Sequence, residues 1–312
     1  MILCCGEALI DFIPTPDGEG YQPCPGGSIL NIAVGLGRMQ VPVGFLSRLS
    51  TDIFGDQLVD HLVNNGVTLD YCPRVDGQTT LAFVKLSQDD NAEPEYAFYA
   101  EGAVDREMQV SNLPDVIDNV QALHFGSISL LLEPGATALE TLMLRESRQK
   151  VISLDPNVRP TLIHDLTAYR ARFEKWLAAV DILRLSKVDF DYIYPDTDFE
   201  AMLPGWFDEG LSMVILTLGE DGAVGYLPDG TTAEAQPPKI TVADTVGAGD
   251  TFFSAALVYL YERGLLDSAR QIAGMGQKNL SECLAFAVKA AAINCTRKGA
   301  NPPTRSEMDF ML

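Results

Sequence analysis

Thr245-Val246-Gly247-Ala248-Gly249-Asp250 runs directly into Thr251-Phe252-Phe253-Ser254-Ala255-Ala256-Leu257. Two glycines flank an alanine, a carboxylate follows, and an apolar helix begins. The first amides of a helix have no partner within it and, with the helix dipole, favour an anion. Glycine lets a phosphate approach the backbone with no Cβ in the way. Asp250 then stands beside the place such a phosphate would take. A carboxylate fixed next to a γ-phosphate can orient a hydroxyl and accept its proton while the amides spread the developing charge. The plainer reading is a Gly-rich turn with an acid in the first turn of a helix, and the segment alone leaves both open.

The rest of the chain narrows the setting. Its 312 residues are 47% apolar, enough for one large or two ordinary domains with a substantial core. No apolar run approaches the ~20 residues that span a bilayer. The start, Met1 to Glu7, lacks a basic region and reads as a first strand, with no sign of a signal peptide. Six cysteines without a CxxC pair or zinc spacing point to reduced thiols in the cytoplasm. The net charge of -21, from 22 basic and 43 acidic side chains, disfavours nucleic acid and anionic membranes as partners. It also disfavours free polyphosphate, so a nucleotide is expected to arrive with Mg²⁺ and to meet local positive groups. A solvated acidic surface that keeps the protein soluble accounts for the same charge.

Apolar runs alternate with amphipathic segments. The strand candidates are Ile2 to Cys5, Gly44 to Ser47, Ala122 to Gly126, Val151 to Leu154, Ile182 to Leu185 and Met213 to Leu218. Nearly all are apolar throughout, as in a parallel sheet covered on both faces. Helices are predicted at Ser28 to Met39, Asp52 to Asn65, Pro134 to Arg148, Asp165 to Val180, Asp250 to Arg263 and Ser281 to Cys295. The first is rich in small residues and should pack closely. This βαβα order predicts an α/β doubly wound sheet, mostly parallel, with helices on both faces. Two insertions fall outside the pattern, about 12–25 and 77–103. The second reads as strands Thr79 to Leu86 and Glu95 to Ala100 around the polar loop Ser87 to Pro94. No linker divides the chain, so one domain over 1–312 with a small β lid is expected.

Motifs spread along the chain resemble those of one group, in its order. They are Gly6-Glu7-Ala8-Leu9-Ile10-Asp11, Pro25-Gly26-Gly27-Ser28-Ile29-Leu30-Asn31, Phe98-Tyr99-Ala100-Glu101-Gly102-Ala103 and His124-Phe125-Gly126-Ser127. Further on come Leu154-Asp155-Pro156-Asn157-Val158-Arg159-Pro160, Thr217-Leu218-Gly219-Glu220-Asp221-Gly222, the hexapeptide, and Thr296-Arg297-Lys298-Gly299-Ala300. The group is the ribokinase-like (phosphofructokinase-B type) sugar kinases, and the similarity is strongest to bacterial fructokinases. The resemblance implies that fold and ATP-dependent transfer of the γ-phosphate to a sugar hydroxyl. Free fructose is the expected acceptor; 2-keto-3-deoxygluconate, ribose or a nucleoside are alternatives, and a sugar- or nucleotide-binding sensor without turnover is a reading from another class.

Under this resemblance Asp250 is the catalytic base, and Gly247, Ala248 and Gly249 form the anion hole. Asp11 would hold sugar hydroxyls through its two acceptor oxygens. Gly26 and Gly27 would let the chain pass close to the sugar, and Asn31 offers a donor and an acceptor, although ordinary turn and helix-start chemistry accounts for these too. Glu133 matches a sugar-contacting position but also precedes Pro134 at a helix start, where an acid is favoured anyway. Arg159, expected to be buried, pairs with phosphate or substrate or forms a structural salt bridge. Thr217, Gly219 and Gly222 match a nucleotide loop, with Gly249 beside the phosphates; a tight hairpin turn is the plainer reading. Ser186-Lys187-Val188-Asp189 stands where the family often has Asn-x-x-Glu near Mg²⁺. It also reads as a helix capping box, which leaves open whether Ser186 meets the nucleotide and Asp189 the magnesium. A monovalent cation, K⁺, is implied at Asp244 and the Val246 carbonyl, with backbone from Cys295 to Ala300. Val288 aligns where an asparagine often lies near adenine. The lid strands present edges that ask for cover, so a homodimer through the lid is expected.

Overall fold

The computed structural model describes residues 1–15, 17–85, 95–147 and 149–310. In chain order the strands are β1 (Ile2–Cys5), β2 (Leu9–Pro14), β3 (Tyr21–Gly26), β4 (Val43–Leu46), β5 (Leu49–Ser50), β6 (Val67–Tyr71), β7 (Arg74–Val75), β8 (Leu81–Lys85), β9 (Glu95–Tyr99), β10 (Ala122–Gly126), β11 (Val151–Asp155), β12 (Ile182–Ser186), β13 (Met213–Thr217), β14 (Ala223–Tyr226) and β15 (Thr232–Ala235). The helices are α1 (Ser28–Arg38), α2 (Ile53–Asn64), α3 (Gly135–Glu146), α4 (Leu166–Leu177), α5 (Lys187–Ile193), α6 (Phe199–Glu209), α7 (Ala248–Glu262), α8 (Ala269–Ala273), α9 (Gly276–Cys295) and α10 (Arg305–Phe310).

Nine strands form the central sheet in the order β15-β14-β13-β12-β11-β10-β1-β4-β6. Seven are parallel, and β14 and β15 are added antiparallel at one edge. The period-two alternation of a strand explains the two cores. Ile2 and Cys4 of β1 point to one, built with α1, α2, α7 and α9. Leu3 and Cys5 point to the other, built with α3, α4, α5 and α6. Both faces of the sheet are therefore covered, and the fold is α/β as expected. The order reverses beside β1: β4 and β6 lie on one side of it and β10 on the other. Crevices at such switch points, beyond the carboxyl ends of strands, are where ligands of open α/β sheets gather.

The second sheet has the order β3-β2-β8-β9. Its β2 and β8 are parallel, and its outer pairs antiparallel. On β2, Asp11 faces one side and Phe12 the other. The loop Ser87 to Pro94 lies outside the described residues.

Several boundaries differ from expectation, each for a local reason. The helix predicted from Asp250 starts at Ala248, because Gly247 takes the left-handed conformation (φ 72°) and ends the preceding turn. The one predicted from Ser281 starts at Gly276, since its first turn is polar and carries no apolar period. Arg159 is half-buried, not buried. Helix α6 contains Pro204, which broke the pattern in the sequence. Among the described residues, no helix is long and apolar enough to cross a membrane.

Candidate functional site

Helices α1 and α7 bring the central groups together. They approach closely at Gly35, where a Cβ would fall 2.3 Å from Ser254 Oγ. The small residues of α1 therefore have a use: they set its first turn against the first turn of α7. Across that contact Ser28 Oγ donates to Asp250 Oδ1 at 2.6 Å, and Asn31 Nδ2 donates to Oδ2 at 2.8 Å. Asp250 is buried at 8% exposure and has no arginine or lysine partner among the described residues. It is the third residue of a 15-residue helix. The amide of Ala248 donates to the Thr245 carbonyl at 3.1 Å, and that of Thr251 makes the first helical bond, to Gly247. Among the described residues no backbone carbonyl pairs with the amides of Gly249 and Asp250, so these are the donors left for an anion. The three-residue anion hole expected from sequence thus has the Ala248 amide turned inward.

Asp11 reaches the same region from the lid. Burial, opposed by Arg159 and reinforced by Asp250, pushes its carboxyl up to about 7. Gly26 is the reason it fits: a Cβ there would lie 2.0 Å from Asp11 Oδ2. Gly27 (φ 104°) is packed on Glu7, whose Cγ would be 3.1 Å from a Cβ. Arg159 Nη1 donates to Asn157 Oδ1 at 2.6 Å, and the guanidinium lies over the Tyr96 ring of the lid at 5.8 Å. Neither of its expected salt-bridge or phosphate roles is needed to hold it in place.

Glu133 stands apart. Its carboxylate accepts from Arg172 at 2.8 Å and from the Thr137 amide at 3.0 Å, in the first turn of α3. It has no hydrogen bond to Asp11, Asn31 or Asp250.

The nucleotide candidates line the carboxyl ends of β12 and β13. Ser186 caps α5 by accepting from the Asp189 amide at 3.0 Å. Asp189 accepts from the Val158 amide at 3.0 Å. Thr217 ends β13, and Gly219 to Gly222 turn the chain into antiparallel β14, so the hairpin reading describes this segment. Gly222 is required there, because a Cβ would meet the Ala235 carbonyl at 2.0 Å. Val288 is buried in the main core. The oxygens of the expected cation site each accept hydrogen bonds from the protein, the Val246 carbonyl from Asn294 Nδ2. Asp244 accepts from the amides of Val246 (3.0 Å) and Gly299 (2.8 Å), and the Cys295 carbonyl accepts from Ala243. Among the described residues no cluster of three His, Cys, Asp or Glu side chains has metal-binding geometry.

Three residues escaped the sequence reading. Arg184 on β12 is buried. It pairs with Asp155 at 2.7 Å and donates to Thr217 Oγ1 at 2.6 Å. Its guanidinium lies directly behind Gly249, 3.0 Å from where a Cβ would be. Burial, which would lower its pKa, is outweighed by Asp155 and Asp189, so it is raised. This is a local positive charge of the kind an anion needs inside so acidic a chain. Its signal was one arginine in an apolar strand, Ile182-Leu183-Arg184-Leu185, since a charge in such a strand must be paired. Asn294, fully buried, ties the hexapeptide to the following loop: its Nδ2 donates to Val246 O at 2.9 Å and its Oδ1 accepts from Asn301 N at 2.8 Å. Ser28 stands in the sequence as the first residue of a helix, with no sign of its bond to Asp250.

Residues 1–307 match the pfkB family of carbohydrate kinases. A fructokinase of Rhizobium leguminosarum bv. trifolii is 40% identical over 283 residues, covering 90% of this chain and 85% of that protein. Probable fructokinase-4 of Arabidopsis thaliana is 32% identical over 327 residues, covering 100% and 96%. The crystal structure of fructokinase with bound ATP from Xylella fastidiosa superposes with a TM-score of 0.87 at 28% identity, covering 98% of this chain and 96% of that one. With a nine-stranded α/β sheet, a glycine turn opening a helix and a buried aspartate at its third position, the chain belongs to the pfkB family of carbohydrate kinases.

Proposed function

We propose that this protein transfers the γ-phosphoryl group of Mg-ATP to a hydroxyl of a free sugar, with fructose as the preferred acceptor. The observation that carries the reading is the Asp250 carboxylate, buried at the mouth of α7 and held by Ser28 and Asn31 beside two amides without carbonyl partners. In the reaction the sugar hydroxyl gives its proton to Asp250 as its oxygen attacks the γ-phosphorus. The bond to the β–γ bridging oxygen breaks and ADP leaves. The amides of Gly249 and Asp250 and the Arg184 guanidinium behind them stabilise the charge that spreads over the phosphoryl oxygens. Asp11 binds sugar hydroxyls, Gly26 lets its carboxylate lie against the chain, and Arg159 lies near Asp11, over the Tyr96 ring of the lid. Thr217, Gly219 and Gly222 stand at the nucleotide end. An oxygen donor set of Asp244, Val246 O and Cys295 O suits K⁺, which would add positive charge behind the turn. Fructose is favoured because the relatives carry that activity in their names. The whole chain acts as one domain with its lid.

A coupled assay of ADP release over fructose, ribose, tagatose, mannose and 2-keto-3-deoxygluconate is expected to give its highest kcat/KM with fructose. A higher value with another sugar reassigns the substrate, and no ADP with any of them removes the kinase reading.

The outer face of the lid supports a homodimer. Phe12 and Phe83 stack at 4.7 Å, and Tyr21 and Tyr99 pack edge-on to Phe83 while remaining 51% and 64% exposed. A half-covered aromatic face on a small sheet asks for a second copy. Sedimentation velocity at micromolar concentration is expected to show a two-chain species; monomer alone would remove the dimer. We place the protein in the cytoplasm, in keeping with its six free cysteines.

A further inference from the structure

Ser28 opens α1 just after the two glycines, and its hydroxyl serves no helix cap. It crosses instead to a residue 222 positions away, donating to Asp250 Oδ1 from a site only 6% exposed. We propose that Ser28 is a positioning residue for phosphoryl transfer: its hydroxyl fixes the rotation of the Asp250 carboxylate. This rests on the reading of Asp250 as the base.

The terminal torsion of an aspartate is broad and roughly two-fold, so one donor leaves the carboxylate free to swing. Asn31 holds Oδ2 and Ser28 holds Oδ1. Two donors on different oxygens define the carboxylate plane. An ionised carboxylate has about four lone-pair sites, so each oxygen keeps one for the acceptor hydroxyl. The packing of α1 on α7 does not depend on Ser28, because Gly35 and Ser254 set that distance a further two turns along. Removing the hydroxyl therefore acts on the carboxylate and leaves the helices where they are.

The test is Ser28→Ala in the full chain, read by rapid-quench single turnover with fructose and Mg-ATP. The transfer rate is expected to fall about tenfold, the worth of one hydrogen bond to a charged group. KM for ATP and for fructose should stay within twofold of the parent, with an unchanged melting temperature. Ser28→Thr keeps the hydroxyl and should restore the rate. In an Asp250→Asn background, Ser28→Ala should change the rate less than twofold, because the coupling partner is gone. A transfer rate within twofold of the parent in Ser28→Ala overturns the proposal, as does a raised KM for fructose at a normal transfer rate, which would make Ser28 a sugar ligand. A tenfold loss from Ser28→Ala that persists in the Asp250→Asn background points to a structural effect and also overturns it. If Ser28→Ala melts early, Ser28→Thr and the double variant decide. The reading of Asp250 as base fails separately, through an active Asp250→Asn alone.

Discussion

Asp250→Asn is expected to lower kcat by about 10²–10⁴-fold, the usual contribution of a positioned general base. The substitution tests chemistry with little disturbance of structure. Asparagine has the shape of aspartate, and both of its neighbours can still bond it. Asn31 keeps its acceptor if the amide oxygen faces it. The new NH₂ then meets Ser28, whose hydroxyl oxygen can accept as well as donate. Among the described residues Asp250 forms no ion pair, so no buried cation there is stranded by its loss. The amides of Gly249 and Asp250 and the Arg184 guanidinium stay in place, and KM for ATP should remain within about threefold. Loss of transfer with retained nucleotide affinity marks an interaction made only in the transition state. Steady-state kinetics with fructose and equilibrium binding of ATP provide the two numbers. Turnover within tenfold of the parent would mean that another group takes the proton, or that positioning alone suffices.

Much of this site could be read from the chain because the chemistry needs neighbours in sequence. The hexapeptide is a turn, an amide nest and a base within six residues, and glycine is visible wherever a backbone must bend or be approached. The parallel strands were legible for the same local reason: β1 and β4 are buried and without a polar side chain, so their burial shows as an unbroken run. What depended on distant pairing was hidden. Nothing in Gly26-Gly27-Ser28 announces that its hydroxyl meets a carboxylate 222 residues away. Asn294 reads as one polar residue in a long helix until Val246 and Asn301 are beside it. Strands β14 and β15 are short, with polar positions facing out, and they resemble turn-rich sequence. Glu133 carried two signals at once. Its motif suggested the sugar, while its position before Pro134 suggested a helix start, and the side chain is engaged by Arg172 and the Thr137 amide.

The largest expected effect on stability comes from Arg184. In Arg184→Met the side chain keeps most of its length but loses its charge, and Asp155, which is fully buried, loses its ion-pair partner. Breaking one half of a buried pair costs about 3–5 kcal/mol, because the remaining charge is desolvated without compensation. At about 2 °C per kcal/mol for a chain of this size, the melting temperature should fall by roughly 6–10 °C. The pH dependence separates this cause from a packing defect. In the parent, burial, opposed by Arg184 and reinforced by Asp189 and Asp250, pushes the Asp155 carboxyl up to about 6. A carboxyl raised on folding destabilises progressively as pH rises from its unfolded value to its folded one, and the penalty then levels off. Without Arg184 the folded value climbs further, so the variant's penalty goes on growing above pH 6 after the parent's has levelled. The stability gap should therefore be smaller at pH 5.5 than at pH 8, as measured by chemical denaturation at both. Adding Asp155→Leu to Arg184→Met removes the stranded acid and should recover most of the loss at pH 8, since an apolar pair of similar volume is often neutral in such a place. A gap of equal size at both pH values, or a double variant no more stable than the single one, would place the cost in lost packing and in the bond to Thr217 instead of in the charge on Asp155.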